Sequence, residues 1–311
     1  MPDLKTLVED TYAEGFRSIY SEVLITARDR KWLDHCVHAV TGHASSTILC
    51  DCEAGVSRWI SAEEAAAGAT PDGRIGAVVQ FHVPRFRKDR REHLEKVMLA
   101  RISQNVLTCP TTSCFNLLGT DQVEAGNHFK LGRKIAMFGD RHQFRDVRHG
   151  ENVWVIPILG GEFFLSRRFG FRDGVMGGNL WFFGPDQDTA LDAAERAAIA
   201  SESVADVITT FPGGVASSGS KAGSSYKGLI AATYAEYCPT LKDKLADDSK
   251  VPDGVNSIME IILNGRNLEA LQEATKAAIH AAASVDGLIK ISAGNYNGRL
   301  GKTFIHLHEL I

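Results

Sequence analysis

Pro71-Asp72-Gly73 returns as Pro252-Asp253-Gly254, and the residues after each copy align without gaps at an offset of 252 − 71 = 181. The offset pairs Phe81 with Ile262, Met98 with Ile279, Ser103 with Ser284, Leu107 with Leu288, and Phe115-Asn116 with Tyr296-Asn297. Each copy reads as a turn, an apolar strand, a charged amphipathic helix and a second short strand. A chain that repeats one supersecondary unit in this way is constrained to two related lobes. Its 311 residues agree, since single cores stop growing at about 250–300 residues.

Periodicity predicts the elements. Leu7 to Phe16 reads as a short helix, Ser21 to Ala27 as a strand, Asp29 to Val40 as a helix and Ser46 to Cys52 as a strand. Arg74 to Val83 and Asn105 to Cys109 read as strands flanking a helix over Lys88 to Ser103, whose Leu94, Val97, Met98 and Ile102 share one face. The order returns as strand Val175 to Phe183, helix Asp186 to Ser203, strand Val207 to Phe211, strand Asn256 to Asn264, helix Leu268 to Ala283 and strand Gly287 to Ser292. The expectation is an α+β protein of two ferredoxin-like βαββαβ lobes related by internal duplication, over residues 1–149 and 150–311. Three stretches interrupt the scheme: alanine-rich Glu53 to Thr70, charged Gly119 to Asn152 as a link between lobes, and Phe211 to Gly228, dense in Gly, Ser and Lys.

Composition excludes several classes. A net charge of −4 gives no electrostatic reason to expect nucleic acid, and 44% hydrophobic with 23% charged residues is ordinary for a globular protein. Apolar runs such as Val153 to Leu159 are too short to span a bilayer, and the N-terminus lacks the order of a signal peptide, so a cytoplasmic protein without membrane association is expected. Six cysteines are too few for a disulfide framework, and Cys50-Asp51-Cys52 lacks zinc-ligand spacing.

Glu260 is the first candidate for chemistry. In Ser257-Ile258-Met259-Glu260-Ile261-Ile262-Leu263, strand alternation puts its carboxyl on the face of Ile258 and Ile262. Desolvation there raises a carboxyl pKa toward neutrality, which suits a group that must give and take a proton. An edge-strand glutamate paired with a lysine fits the same pattern, and the residues alone leave both readings open. Phe211, Pro212, Gly213 and Gly214, followed by Ser220 and Lys221, form a loop whose small residues admit a ligand to the backbone, although its glycine spacing is not that of a phosphate-binding loop. Lys290, Ser292 and Asn295 precede a glycine-rich turn and offer a cation, a hydroxyl and an amide; a purely structural turn is the alternative. His306 and His308, two apart on an expected final strand, lack the rest of a metal shell, as do His35 and His38, and no metal site is assigned. Cys109 has no histidine tied to it by a recognised pattern.

Six motifs in one order, Glu9-Asp10-Thr11-Tyr12-Ala13-Glu14, Cys109-Pro110-Thr111-Thr112-Ser113, Phe211-Pro212-Gly213-Gly214, Glu260-Ile261-Ile262-Leu263-Asn264-Gly265, Lys290-Ile291-Ser292-Ala293-Gly294-Asn295 and His306-Leu307-His308-Glu309-Leu310, together resemble the formylmethanofuran:tetrahydromethanopterin formyltransferase family over nearly the whole chain. The modest net charge departs from the strongly acidic archaeal members and resembles the bacterial form, a subunit of a formyltransferase/hydrolase complex.

The resemblance implies formyl transfer between the amine of a methanofuran-type carrier and N5 of tetrahydromethanopterin, with both carriers as substrates and no metal, nucleotide or prosthetic group. It also implies a homotetramer, possible hydrolase subunits as partners, and a catalytic acid–base role for Glu260. The reaction needs donors for an oxyanion and an acid for the leaving amine. By residue type, Ser292, Asn295 and the backbone of Phe211 to Gly214 are the candidate donors, and Lys221 and Lys290 the candidates for a carboxylated substrate tail. The competing class is a non-catalytic pterin-binding or scaffolding subunit.

Overall fold

The computed structural model describes residues 3–119, 126–299 and 301–311; residues 120–125 of the expected link and Leu300 of the C-terminal turn lie outside them. The protein is a mixed α+β structure. It separates into two compact units, one of Met1–Arg17 with Val175–Ile311 and one of Ser18–Gly174. This division differs from the expected one at 149/150. By compactness, residues 1–17 belong with the C-terminal segment and residues 150–174 with the N-terminal one.

In the unit of residues 18–174, residues 18–26 of the strand Tyr12–Thr26 pair antiparallel with the strand Gly76–Pro84. That strand pairs in turn with Glu53–Ile60, and the other edge of Tyr12–Thr26 takes Ser113–Asn116. The helices Arg30–Thr41 and Arg90–Arg101 cover one face and bury Leu33, Val37, Leu94 and Val97 against Val23, Ile25 and Val79. Asp29 starts the first helix by accepting from the backbone of Trp32 at 3.2 Å. The opposite face is closed by the hairpin Glu151–Ile158 and Gly161–Ser166, whose Val153 and Val155 pack on Leu24, Val78 and Phe115.

In the other unit, Val207–Thr209, Ser257–Gly265, Arg172–Gly184 and Lys290–Ser292 lie side by side, all antiparallel. The helices Gln187–Glu202 and Leu268–Ala282 cover one face, and both are begun by side-chain caps, from Asp186 to Thr189 at 2.7 Å and from Asn267 to Ala270 at 2.9 Å. Alanines 190, 193, 194, 197, 270, 274 and 278 form their buried stripes. Such small side chains let both helices sit close to Leu180, Phe182, Met259, Ile261 and Leu263 of the sheet. Tyr12 to Gly15 pair with the strand Thr303–His306.

Several expected elements are displaced. The helix expected over Leu7 to Phe16 is confined to Leu4–Leu7, and a strand begins at Tyr12 because pairing with the far end of the chain overrides local preference. The strand expected over Ser46 to Cys52 lies later, at Glu53–Ile60, so the alanine-rich stretch begins as sheet. Asn105 to Cys109 is not a strand: Ile102–Val106 is a π-helical turn that prolongs the preceding helix. The charged stretch after Gly119 contains the helix Leu131–Ala136 and the strand Phe144–Arg148. His306 ends a strand and His308 sits in the following 3-10 turn, so the two do not share a strand.

Register corrects the offset of 181. Asp29 and Asp186 cap equivalent helices, which equates Val23 with Leu180 (186 − 29 = 180 − 23 = 157). Val23 pairs with Val79 and Leu180 with Ile261, so the third strands align at 261 − 79 = 182. The one-residue difference matters because it exchanges the faces of a strand. Ile25 pairs with Cys114 and Phe182 with Ile291, which gives 291 − 114 = 177 for the fourth strands. Most of the five residues lost in between go before the helix, whose N-caps Asp89 and Asn267 already stand at 267 − 89 = 178.

Candidate active site

Glu260 points away from the two helices. Its strand neighbours Met259 and Ile261 face them, while Glu260 pairs with Trp181 on one side and Ala216 on the other. Trp181 also pairs with Ser292, so a glutamate, a tryptophan and a serine stand in one row across three strands. This face is covered by the segment carrying Tyr234, Tyr237, Val251 and Val255, which packs around Trp181 and Phe183.

Under that cover Glu260 is 8% exposed. Its Oε1 accepts from the Asn179 side-chain amide at 2.7 Å and from the Trp181 indole N–H at 2.9 Å. Burial pushes the carboxyl pKa up, against the opposing pull of these two donors, and the net direction is upward. Since Oε1 already accepts twice, the proton of the neutral acid belongs on Oε2. Glu260 contributes to the wall of a cavity of about 170 Å³ that also borders Trp181, Ser217, Tyr234 and Tyr237. Trp181, Tyr234 and Tyr237 separate it from a larger cavity of about 520 Å³ lined by Lys221, Lys250, Ser292, Asn295, Tyr296 and Arg299. Burial raises the Tyr234 phenol to about 12, with smaller contributions from Tyr296 and nearby acids. Tyr296 is pushed up by burial and then by the charges of Glu260 and Glu14.

The turn 294–299 is held by two acceptors. Asn179 Oδ1 accepts from the Gly294 N–H at 3.2 Å, so one asparagine joins the turn to Glu260. Glu14, 2% exposed, accepts from the backbone of Tyr296 at 2.8 Å, of Gly298 at 3.0 Å and of Gly301. Gly294 is required here, because a Cβ would lie 2.7 Å from the Trp181 ring and 2.8 Å from Asn179 Nδ2.

The expected site residues divide. Lys221, Ser292 and Asn295 meet at the larger cavity, which shares Trp181 with the cavity of Glu260. Lys221 is paired with Glu236 at 3.0 Å, and the Asn295 amide donates to Thr11 Oγ1 at 3.2 Å and Tyr12 O at 3.3 Å. Lys290 is bridged to Glu9 at 2.8 Å, and Ser292 donates to the same carboxylate. Burial opposes ionisation of Glu9, but these two partners outweigh it and hold its pKa below the usual range. Ser220 contributes its carbonyl to the Tyr296 hydroxyl at 3.2 Å. Phe211, Pro212, Gly213 and Gly214 line neither cavity. Gly214 N–H bonds Phe211 O at 2.8 Å, and a Cβ at Gly214 would meet Ala198 at 2.9 Å, so this glycine permits close helix packing. Asn179 and Trp181 went unnoticed in the sequence, although a polar residue in the apolar run Gly178-Asn179-Leu180-Trp181 carries the same signal as Glu260. Among the described residues, no group of three or more His, Cys, Asp or Glu is placed to hold a metal ion.

A family model described as formylmethanofuran-tetrahydromethanopterin formyltransferase matches residues 3–158, and the model of the proximal lobe of the same family matches residues 161–310. The chain belongs to this formyltransferase family. It is 43% identical over 306 residues to the formylmethanofuran–tetrahydromethanopterin formyltransferase of Methanocaldococcus jannaschii, covering 97% of both proteins. The solved enzyme from Methanosarcina barkeri superposes with a TM-score of 0.90 at 41% identity and full coverage of both chains. A chain of the formyltransferase/hydrolase complex of Methylorubrum extorquens, solved with methylofuran, superposes with a TM-score of 0.88 at 34% identity, covering 100% of this chain and 98% of that one. The chain is thus an enzyme of the formyltransferase type. No helix among the described residues is long and apolar enough to cross a membrane.

Proposed function

We propose that the protein transfers a formyl group between the primary amine of a methanofuran-type carrier and N5 of tetrahydromethanopterin, in a ternary complex, with Glu260 as acid and base. The observation that carries the reading is a buried carboxyl whose Oε1 is occupied by Asn179 and Trp181 and whose pKa burial raises, on a strand of the cavity wall. In the direction of pterin formylation, N5 attacks the formamide carbon and the carbonyl oxygen takes up negative charge. The tetrahedral intermediate collapses when the furan-side nitrogen receives the proton of Glu260 and leaves as an amine. The N5 proton passes to the carboxylate, which restores the acid. The reverse transfer runs through the same states, and carrier concentrations set its direction.

Ser292 and Asn295 remain the proposed oxyanion donors, because both reach the larger cavity. Engaging a substrate requires them to exchange their present acceptors, Glu9 for Ser292 and Thr11 with Tyr12 for Asn295. Lys221, with Lys250 and Arg299 on the same wall, is the proposed seat for a carboxylated tail. In both units the strands run second, third, first, fourth with two helices on one face, and this common order supports two ferredoxin-like lobes derived by duplication. Assembly as a homotetramer in the cytoplasm belongs to the same reading. The Methylorubrum relative, a chain of a formyltransferase/hydrolase complex, motivates hydrolase subunits as partners.

The test is a spectrophotometric formyl-transfer assay on the wild type and Glu260→Gln. Loss of a positioned general acid lowers kcat by about 10²–10⁴-fold. Wild-type turnover that survives the substitution removes Glu260 from the mechanism. Tight pterin binding without wild-type turnover overturns the enzymatic reading in favour of a binding subunit.

A further inference from the structure

A third cavity, of about 210 Å³, lies in the unit of residues 18–174 and is lined by Lys130, Arg133, Arg145, Arg167, Arg168 and Trp154. Among the described residues, five cations and no acid line it, in a chain whose net charge is −4. They arrive from separate elements: Lys130 and Arg133 from the helix Leu131–Ala136 and its N-cap, Arg145 from the strand Phe144–Arg148, and Arg167 and Arg168 from the end of the strand Gly161–Ser166.

Sheet register explains the convergence. Arg145 pairs with Trp154, and Trp154 with Leu165, so these side chains share one face and Arg167 follows two residues later on it. The Arg145 guanidinium stands 5.0 Å from the centre of the Trp154 ring. Among the described residues none of the five cations is in an ion pair. The Arg167 guanidinium donates to a neutral side chain, that of Asn152, at 3.3 Å.

Basic surfaces are ordinarily interspersed with acids, which relieve like-charge repulsion. Five unpaired cations around one concavity leave that repulsion in place until an anion enters. Four of the five are arginines, whose planar forks match the oxygen pairs of phosphate and carboxylate groups. Stacking on Trp154 fixes one of the forks in advance and lowers the ordering cost of binding.

We propose that this cavity binds a compact oxyanion group carrying two or more negative charges, of the phosphate or clustered-carboxylate class. The inference rests on no part of the formyl-transfer reading, since none of its residues lines the cavities near Glu260.

The experiment titrates purified full-length protein with pyrophosphate and, separately, with citrate at fixed ionic strength. Heat and tryptophan emission are recorded in parallel. Saturable binding of one equivalent is expected, with an emission change as the anion's charge settles beside the stacked Arg145–Trp154 pair. Pyrophosphate alone points to a phosphate ligand and citrate alone to a multicarboxylate; either supports the site. In Arg145→Gln/Arg168→Gln the affinity falls by about tenfold or more, as for loss of two charge-assisted contacts. Both positions are exposed, so the fold is retained. Trp154→Phe keeps the heat and loses the emission change, and Lys221→Ala, altered at the other cavity, binds as the wild type does. The proposal is overturned if neither anion binds at millimolar concentration, if the double variant binds unchanged, or if Lys221→Ala abolishes binding.

Discussion

Replacing Trp181 with Phe removes the donor to Glu260 and trims the buried ring, while an aromatic side chain stays in place. The phenyl ring keeps the apolar contacts with Tyr237 and Tyr234, whose rings stand 4.8 and 5.4 Å from that of Trp181, but the indole N–H that reaches Glu260 Oε1 at 2.9 Å is gone. A hydrogen bond to a charged group contributes about 1.5–3 kcal/mol. The donor favours the ionised carboxyl over the acid, so its loss drives the Glu260 pKa further in the direction in which burial already pushes it. A weaker acid transfers its proton to the leaving amine less readily. Each 1.4 kcal/mol costs about a factor of ten, and a fall in kcat of about 10- to 100-fold is expected with little change in KM. The limb of the pH–rate profile that reports loss of this proton moves to higher pH. The assay is formyl transfer followed by absorbance across the neutral range, with Glu260→Gln as the reference that lacks the limb. A Trp181→Phe profile that superposes on the wild type, or moves to lower pH, refutes the reasoning.

Three further outcomes follow from the same site. Gly294→Ala places a methyl 2.7 Å from the Trp181 ring and 2.8 Å from Asn179 Nδ2, so it displaces both donors to Glu260; kcat should fall at least as far as in Trp181→Phe, and unchanged kinetics would show that the donors do not set the acid. In Glu260→Gln, thermal unfolding should depend less on pH. The folded carboxyl has the higher pKa, so its contribution is full below the unfolded value of about 4.3 and is lost as pH rises through the folded value; the variant should gain on the wild type toward alkaline pH, and a reversed trend in melting scans would contradict the burial. Glu14→Ala leaves the N–H groups of Tyr296, Gly298 and Gly301 without that acceptor, at about 1–3 kcal/mol for each one that stays buried; urea unfolding should show the loss, and KM should rise as the turn loosens.

Legibility in the sequence depended on the range of the forces involved. The helices Gln187–Glu202 and Leu268–Ala282 were readable because capping by Asp186 and Asn267 and the alanine stripes are local signals. Tyr12 to Gly15 was not, since what makes it a strand is the Thr303–His306 segment almost three hundred residues away. The fourth strand of the unit 18–174 was misplaced because helical structure runs on through the π-helical turn Ile102–Val106, so that residues 105–109 do not form it and the strand begins at Ser113. Glu260 was visible as a carboxyl in an apolar strand. Its partners were hidden, because the pairings of Trp181 with Glu260 and with Ser292 are decided by sheet register. Glycine content pointed to Phe211–Gly214 as a ligand loop, yet composition does not separate a glycine that admits a ligand from one that admits a helix, and Gly214 faces Ala198.

Why only one unit carries a carboxyl at this strand position follows from what covers the corresponding face in each. At the offset of 182, Glu260 corresponds to Val78, and at 157 Trp181 corresponds to Leu24 and Asn179 to Glu22. Val78 and Leu24 lie under Val153 and Val155 of the hairpin, an apolar lid that offers no donor to a carboxyl at that position. An ionisable group there would bear desolvation without compensation. Polar groups on this face gather instead at Glu22, Gln80, Ser57 and His82, where Gln80 donates to Glu22 at 2.8 Å and His82 Nε2 lies 2.9 Å from Gln80 Oε1, and burial lowers the His82 pKa to about 3. They satisfy one another and rigidify the sheet. Around Glu260 the cover is made of Tyr234 and Tyr237, which have hydroxyls at their tips and leave space between them, and the strand partner is an indole with a donor. The same face of the same strand order therefore seals a core under valines and leaves a cavity under tyrosines, and the exchange of Leu24 for Trp181 and of Glu22 for Asn179 supplies the two donors that the buried acid Glu260 accepts from.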